Sequence, residues 1–200
     1  MTTTLIDLIR HGEPEGGPMF RGQADHHLSE TGWQQMRQAV SDNDHWDVIV
    51  TSPLLRCAEF ARELSQRLAL PLHTEDRLTE IGFGDWEGHT TAQVMDTWGD
   101  ALQRFWDNPV ANPPPGGEAL AEFRERVVAA WNQLTRDLAG QRVLVVCHGG
   151  VIRMILAEVL ETPLEAAFRT VAVPYANRSR IRLDDSPHGR LASLLSHGIV

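Results

Sequence analysis

Thr4-Leu5-Ile6-Asp7-Leu8-Ile9 runs without a break into Arg10-His11-Gly12-Glu13-Pro14. The first six residues are mostly apolar and β-branched and show no alternation, which reads as a strand buried on both faces. Cationic side chains follow at once at its carboxyl end. The same design recurs twice. Asp47–Thr51 is a second apolar run, continued by Ser52-Pro53 with Arg56 one helical turn on, and Arg142–Cys147 is a third, continued by His148-Gly149-Gly150. All three read as central parallel strands.

Helical patterns lie between them. Ser29 is placed as an N-cap, with Leu28 and Trp33 as a hydrophobic staple, for a helix reaching about Val40. Ser52 is expected to cap a second helix with Pro53 at its first position; that helix reaches about Leu68, and Pro71 bars continuation. After Pro113-Pro114-Pro115-Gly116-Gly117, Leu120, Phe123, Val127, Trp131, Leu134 and Leu138 recur at steps of three and four, and Gly140 ends the helix. A fourth helix runs from about Gly150 through Leu160, and Ser179–Leu183 with Leu191–Leu195 form a closing hairpin around Asp184–Arg190. Strand and helix in alternation imply right-handed crossovers and a three-layer α/β/α sandwich on a mostly parallel central sheet.

Residues 77–117 fit that alternation poorly, holding Trp86, Trp98, Phe105 and Trp106 among glycines, aspartates and four prolines. A long segment of this kind is an inserted lid or a connection anchored by its aromatics for stability, and its position relative to the site decides between them.

The 200 residues carry 18 Lys and Arg against 27 Asp and Glu, a net charge of −9, and are 42% hydrophobic, enough for one domain spanning 1–200. The acidic balance and the lack of a Lys/Arg-rich run argue against nucleic-acid and anionic-membrane partners. Met1–Leu8 lacks a cationic start before a long apolar run, and nowhere do eighteen apolar residues follow one another. Cys57 and Cys147 lack a CxxC spacing, so a reducing cytoplasm is the expected compartment. The expected partner is a small molecule, for a monomer or homodimer.

Ligands of open α/β sheets bind beyond the carboxyl ends of the strands. There the chain places Arg10, His11, Arg56 and His148. Two forked guanidiniums match the oxygens of a phosphoryl group and follow its charge into the transition state. Gly12, Gly149 and Gly150 permit close approach. No Ser-His or Cys-His arrangement is spelled out, so His11 is the candidate nucleophile: a neutral imidazole attacks through one nitrogen while the other keeps its proton on an acceptor. The sequence does not show that acceptor. No carboxylate cluster or His-Glu pair has metal-ligand spacing, and no metal or other cofactor is expected. Cys147 ends a buried strand, as a small hydrophobe does. The remaining histidines, His26 and His27 among them, have no motif around them.

Leu8-Ile9-Arg10-His11-Gly12-Glu13 resembles the signature of the histidine phosphatase superfamily, also called phosphoglycerate mutase-like. Thr51–Glu59, Leu78–Gly88, Pro115-Gly116-Gly117-Glu118 and Val146–Arg153 resemble further segments of that family, in family order. The resemblance implies a phosphorylated histidine at His11 and phosphoryl binding by Arg10, Arg56 and His148. It makes Glu80 the acid that protonates the leaving oxygen, unless Glu80 pairs structurally with Arg77. Glu13–Gly17 and Phe20–Gly32 look most like α-ribazole phosphatases of cobalamin assembly, and from them Arg21 and Gln23 join Gly149 as expected substrate contacts. Ala119 stands where many members have Ser, and His27 where they often have Pro; the Trp-Asn pair usual after the first motif of phosphoglycerate mutases is absent. The expected activity is metal-independent phosphomonoester hydrolysis through phosphohistidine. Three alternatives stand beside it: a broad small-molecule phosphatase, a phosphoglycerate mutase that returns the phosphoryl group to the product, and a phosphate-ligand binding or regulatory module that has lost catalysis.

Overall fold

The computed structural model describes residues 2–41 and 43–198; Met1, Asp42, Ile199 and Val200, which the 1–200 span and the amino-terminal reading include, lie outside the described residues. In chain order the elements are β1 (Thr2–Arg10), α1 (Glu30–Gln38), β2 (Val48–Thr51), α2 (Leu55–Leu68) and β3 (Leu72–Thr74). Two 3-10 turns (Asp76–Leu78 and Gly84–Trp86) precede α3 (Thr91–Trp98), α4 (Ala101–Asp107) and α5 (Leu120–Asp137). Then come β4 (Arg142–Cys147), α6 (Gly149–Val159), α7 (Leu164–Thr170), β5 (Arg178–Ser186) and β6 (Gly189–Gly198).

The six strands form one sheet in the order β3-β2-β4-β1-β5-β6. β3, β2, β4 and β1 are mutually parallel; at the β1 edge β5 pairs antiparallel with β1, and β6 antiparallel with β5. The absence of alternation in the central strands has a direct cause, because successive side chains enter two different cores. Val143 and Val145 of β4, with Ile6 and Leu8 of β1, pack against Phe123, Val127 and Trp131 of α5 and Val151 and Ile155 of α6. Leu144, Val146, Ile9 and Ile49 pack on the opposite face against Met36 of α1 and Phe60, Ala61 and Leu64 of α2.

Residues 77–117 are bound into the first of these cores: Leu78, Ile81, Trp86, Val94, Leu102 and Phe105 are all buried there. Trp86 and Phe105 meet edge to face at 5.5 Å, a geometry that adds about 0.5–1.5 kcal/mol to area burial. Among the described residues no helix is long and apolar enough to cross a membrane.

One local expectation is corrected. Ser52 does not cap α2, nor does Pro53 open it: the helix begins at Leu55 with Leu54 at the cap position. The first turn finds its acceptor elsewhere, since the Leu55 N–H donates to Asp25 Oδ1 at 2.7 Å, thirty residues upstream. Ser52 Oγ accepts only the Leu54 N–H, at 3.4 Å, and lies 2.7 Å from His148 Nε2.

Candidate active site

Parallel pairing continues one residue past the strands. The His11 N–H donates to the Cys147 carbonyl and the Ser52 N–H to the Val146 carbonyl, each at 3.0 Å, so His11, Ser52 and His148 emerge side by side. The His11 and His148 rings stand 5.2 Å apart, edge on. His11 Nδ1 lies 2.7 Å from the Gly12 carbonyl oxygen, which only accepts, so the proton is on Nδ1 and Nε2 carries the lone pair. Gly12 is needed for this contact. A Cβ there would lie 2.2 Å from the Gly32 carbonyl oxygen, because the loop after β1 is pressed onto the start of α1.

Burial, reinforced by the Arg56 and Arg10 guanidiniums, holds the His11 pKa well below its ordinary 6.5. His148 is shifted the same way by burial, then by Arg56 and His11. Its Nε2 lies 2.7 Å from Ser52 Oγ. Cys57, also beside this ring, is pushed up to about 12 by burial and is no thiolate.

A cavity of about 180 Å³ opens in front of His11, with a polar wall of Arg10, Arg21, Glu80, Gly149 and Arg153. Met19, Phe20, Phe83 and Tyr175 form its apolar side. The loop between α7 and β5 aims two of the cations: the Val173 carbonyl accepts from Arg10 at 2.6 Å and the Val171 carbonyl from Arg153 Nε at 2.9 Å. His197 of β6 holds the Ala172 carbonyl between them at 2.8 Å. Arg10 lies over the Tyr175 ring, 4.3 Å from its centroid. Arg21 is fixed by the carbonyls of Glu15 and Gly17.

Arg56 is fully buried, donating one N–H from each terminal nitrogen to Ala24 and Gly22. The Nε atoms of Arg10 and Arg56 are buried and have no partner in the protein. Two orphaned cationic donors beside one histidine are expensive alone and are satisfied by an anion.

Glu80 is 9% exposed, and its two oxygens accept the backbone N–H groups of Ile81 and Gly150, each at 3.0 Å. Its main chain is clamped by Arg126, which donates to the carbonyls of Arg77, Thr79 and Glu80. Glu118 grips the same guanidinium through both oxygens and also accepts the Gly82 N–H. The structural pairing of Glu80 with Arg77 is not found: Arg77 is held by Glu75 and Gln133.

Of the residues singled out in the sequence, Arg10, His11, Arg21, Glu80 and Gly149 line the cavity, and Arg56 and His148 are buried and interact electrostatically with His11. Gln23 is not among the lining residues; it is exposed, and its backbone N–H is bound by Glu87. Arg153, Tyr175 and Ser52 were given no site role by sequence reasoning. Arg153 follows Gly149 by one helical turn, a spacing that places both on one face. Tyr175 lies in a loop without pattern, where no signal pointed to it. Among the described residues no group of three or more His, Cys, Asp or Glu is placed to hold a metal ion.

Sequence and fold both have known relatives. The chain is 34% identical over 164 residues to a 2,3-bisphosphoglycerate-dependent phosphoglycerate mutase of Methylorubrum populi, covering 76% of this chain and 77% of that protein. It is 32% identical over 84% of its length to a bifunctional protein of Mycobacterium tuberculosis, of which it spans about half (47%). A solved mycobacterial glucosyl-3-phosphoglycerate phosphatase superposes with a TM-score of 0.84 at 25% identity, over 99% of this chain and 100% of that one. The α-ribazole phosphatase of Shigella flexneri gives 0.83 at 25% identity, over 98% and 96%. Residues 6–193 match the histidine phosphatase superfamily (branch 1), and the chain belongs to that family.

Proposed function

We propose that the chain is a metal-independent phosphomonoester hydrolase that works through a phosphohistidine at His11, with α-ribazole 5′-phosphate of cobalamin biosynthesis as its substrate. The observation that carries the reading is the His11 ring, which keeps its Nδ1 proton on the Gly12 carbonyl and offers an unprotonated Nε2 among guanidiniums with unpartnered buried Nε atoms. In the first step Nε2 attacks phosphorus, the ester P–O bond breaks, and Glu80 gives its proton to the departing alkoxide. The positive charge gained by the ring rests on the Nδ1–H···O=C bond to Gly12. In the second step water attacks phospho-His11, Glu80 takes a proton from that water, and phosphate leaves. The guanidiniums stabilise the charge spread over the equatorial oxygens in both steps.

The substrate reading is supported by the likeness to the α-ribazole phosphatase of Shigella flexneri and by the segment Phe20–Gly32. A second reading, phosphoryl return to the product as in a mutase, is favoured by the relative in Methylorubrum populi. A chelator-treated panel of α-ribazole 5′-phosphate, 3-phosphoglycerate, sugar phosphates and nucleotides tests both. Release of inorganic phosphate, fastest from α-ribazole 5′-phosphate and undiminished by chelator, is expected. Isomerised phosphoglycerate without phosphate release establishes the mutase; restoration of activity by magnesium refutes metal independence.

A further inference from the structure

Beside the phosphoryl cavity lies a larger one of about 500 Å³. Met19, Phe20 and Tyr175 line both, so the two adjoin along a shared wall. Their chemistry differs completely. Every cation of the pair lines the smaller cavity, whereas the larger, open to solvent, is lined in addition by Pro18, Ala92, Thr90, Thr91 and Trp106 and by no charged side chain. Trp106 remains 44% exposed, while its neighbour Phe105 is 1% exposed and packs in the core. The indole rests on Phe105, with ring centroids 5.0 Å apart, and on Phe168, at 6.5 Å. An indole backed by two rings but left half open is a stacking platform, and Tyr175, held under Arg10, stands at the passage between the cavities.

We propose that the cavity between Tyr175 and Trp106 is the leaving-group subsite and selects phosphomonoesters of uncharged, aromatic or apolar alcohols over esters that carry a second anion. The inference rests on the phosphatase reading, because it takes the phosphoryl group to sit against Arg10 and His11. A leaving group tethered there by one ester bond extends past Tyr175 into the larger cavity. A planar apolar group stacks on Trp106, with the Thr90 and Thr91 hydroxyls as the polar side chains in reach of its hydroxyls. A carboxylate or second phosphate would lose water there and meet no cation, a desolvation penalty without compensation.

The test compares three alkyl esters, so that leaving-group basicity does not confound the result: 2-(1-naphthyl)ethyl phosphate, ethyl phosphate and 3-phosphoglycerate. Calorimetric binding of 2-(1-naphthyl)ethylphosphonate and ethylphosphonate reads the subsite without turnover. The naphthyl ester should exceed both others in kcat/KM, and its phosphonate should bind more tightly than ethylphosphonate, by about tenfold or more, as burial of an aromatic surface gives. Trp106→Ala should collapse both ratios toward unity. Because Trp106 is half exposed, the variant should fold; a naphthyl-to-ethyl ratio that it leaves intact overturns the subsite. A preference for 3-phosphoglycerate overturns it too and assigns Arg21 and Arg153 to a second anion. Tight naphthyl binding without turnover of any ester keeps the subsite and refutes the phosphatase reading. Turnover without any preference does the reverse.

Discussion

Replacing Glu80 by Gln changes two quantities that the structure separates. The carboxylate accepts two backbone N–H groups through different oxygens, Ile81 on Oε1 and Gly150 on Oε2. The amide keeps one oxygen, so one N–H is set against an NH₂ group and loses its acceptor. That costs about 1–3 kcal/mol of stability for a buried donor. The kinetic effect is separate. A positioned general acid contributes roughly 10²–10⁴-fold, or about 2.7–5.5 kcal/mol of barrier, and it does so only where the leaving oxygen needs a proton. In rapid-quench experiments Glu80→Gln should slow phosphorylation of His11 by an alkyl phosphate within that range. The burst from p-nitrophenyl phosphate, whose leaving group is stable as an anion, should stay within about tenfold of wild type. Measuring the burst isolates this step from hydrolysis of the phosphoenzyme, in which the same carboxylate is proposed to activate water. Equal slowing of both bursts, or of neither, refutes the assignment of Glu80 as the acid.

A Cβ at Gly150 would lie 2.2 Å from Glu80 Oε1, so Gly150→Ala should reproduce the leaving-group dependence of Glu80→Gln at about tenfold or more; a uniform effect on both substrates contradicts it. Burial, then Arg56 and Arg10, keep the His11 pKa well below 6.5, and protonation removes the nucleophile. The burst rate should therefore persist as pH falls through 6.5 and fail only further down, and Arg10→Gln should move that limb upward; a limb at 6.5 in wild type, unmoved by the variant, is the contrary result. At the sheet face occupied by α1 and α2, Asp7 is buried and accepts from Arg178, Arg180 and Trp46. Burial alone raises its pKa, but those partners bring it below 3.8, so this stability is present above 3.8 and lost as pH falls through the lower folded value. Asp7→Asn should cost about 1–3 kcal/mol in denaturant unfolding at neutral pH, since the donors of Arg178 and Trp46 lose part of their acceptor while Asp44 still pairs Arg178; no measurable loss argues that Asp44 suffices.

The central strands were legible because burial on both faces erases alternation, and the cationic groups at their carboxyl ends were legible because topology alone fixes where those ends meet. β3 was missed because three residues, Leu72–Thr74, carry no periodicity, and α7 because Leu164–Thr170 is too short to establish a face. The capping of α2 was misread for a physical reason: Ser52 and Pro53 have the right local chemistry, but the acceptor comes from Asp25, a contact of thirty residues' separation that no local pattern encodes. Gln23 was placed by resemblance, and its exposed position removes it from the cavity lining. Tyr175 and the carbonyls of Val171 and Val173 were invisible for the same reason as Asp25: their roles exist only once the loop before β5 folds back over Arg10.

The most direct test of the account is the site and lability of the phosphoenzyme. Wild-type enzyme is quenched in alkali during turnover of a phosphorus-labelled ester and mapped by peptide. One phosphoryl group on His11, stable in alkali, lost in acid and absent from His11→Asn, is the predicted result. Label on Ser52, which lies beside His148 with its hydroxyl 2.7 Å from that ring, or no label at any time in the wild type, would contradict it.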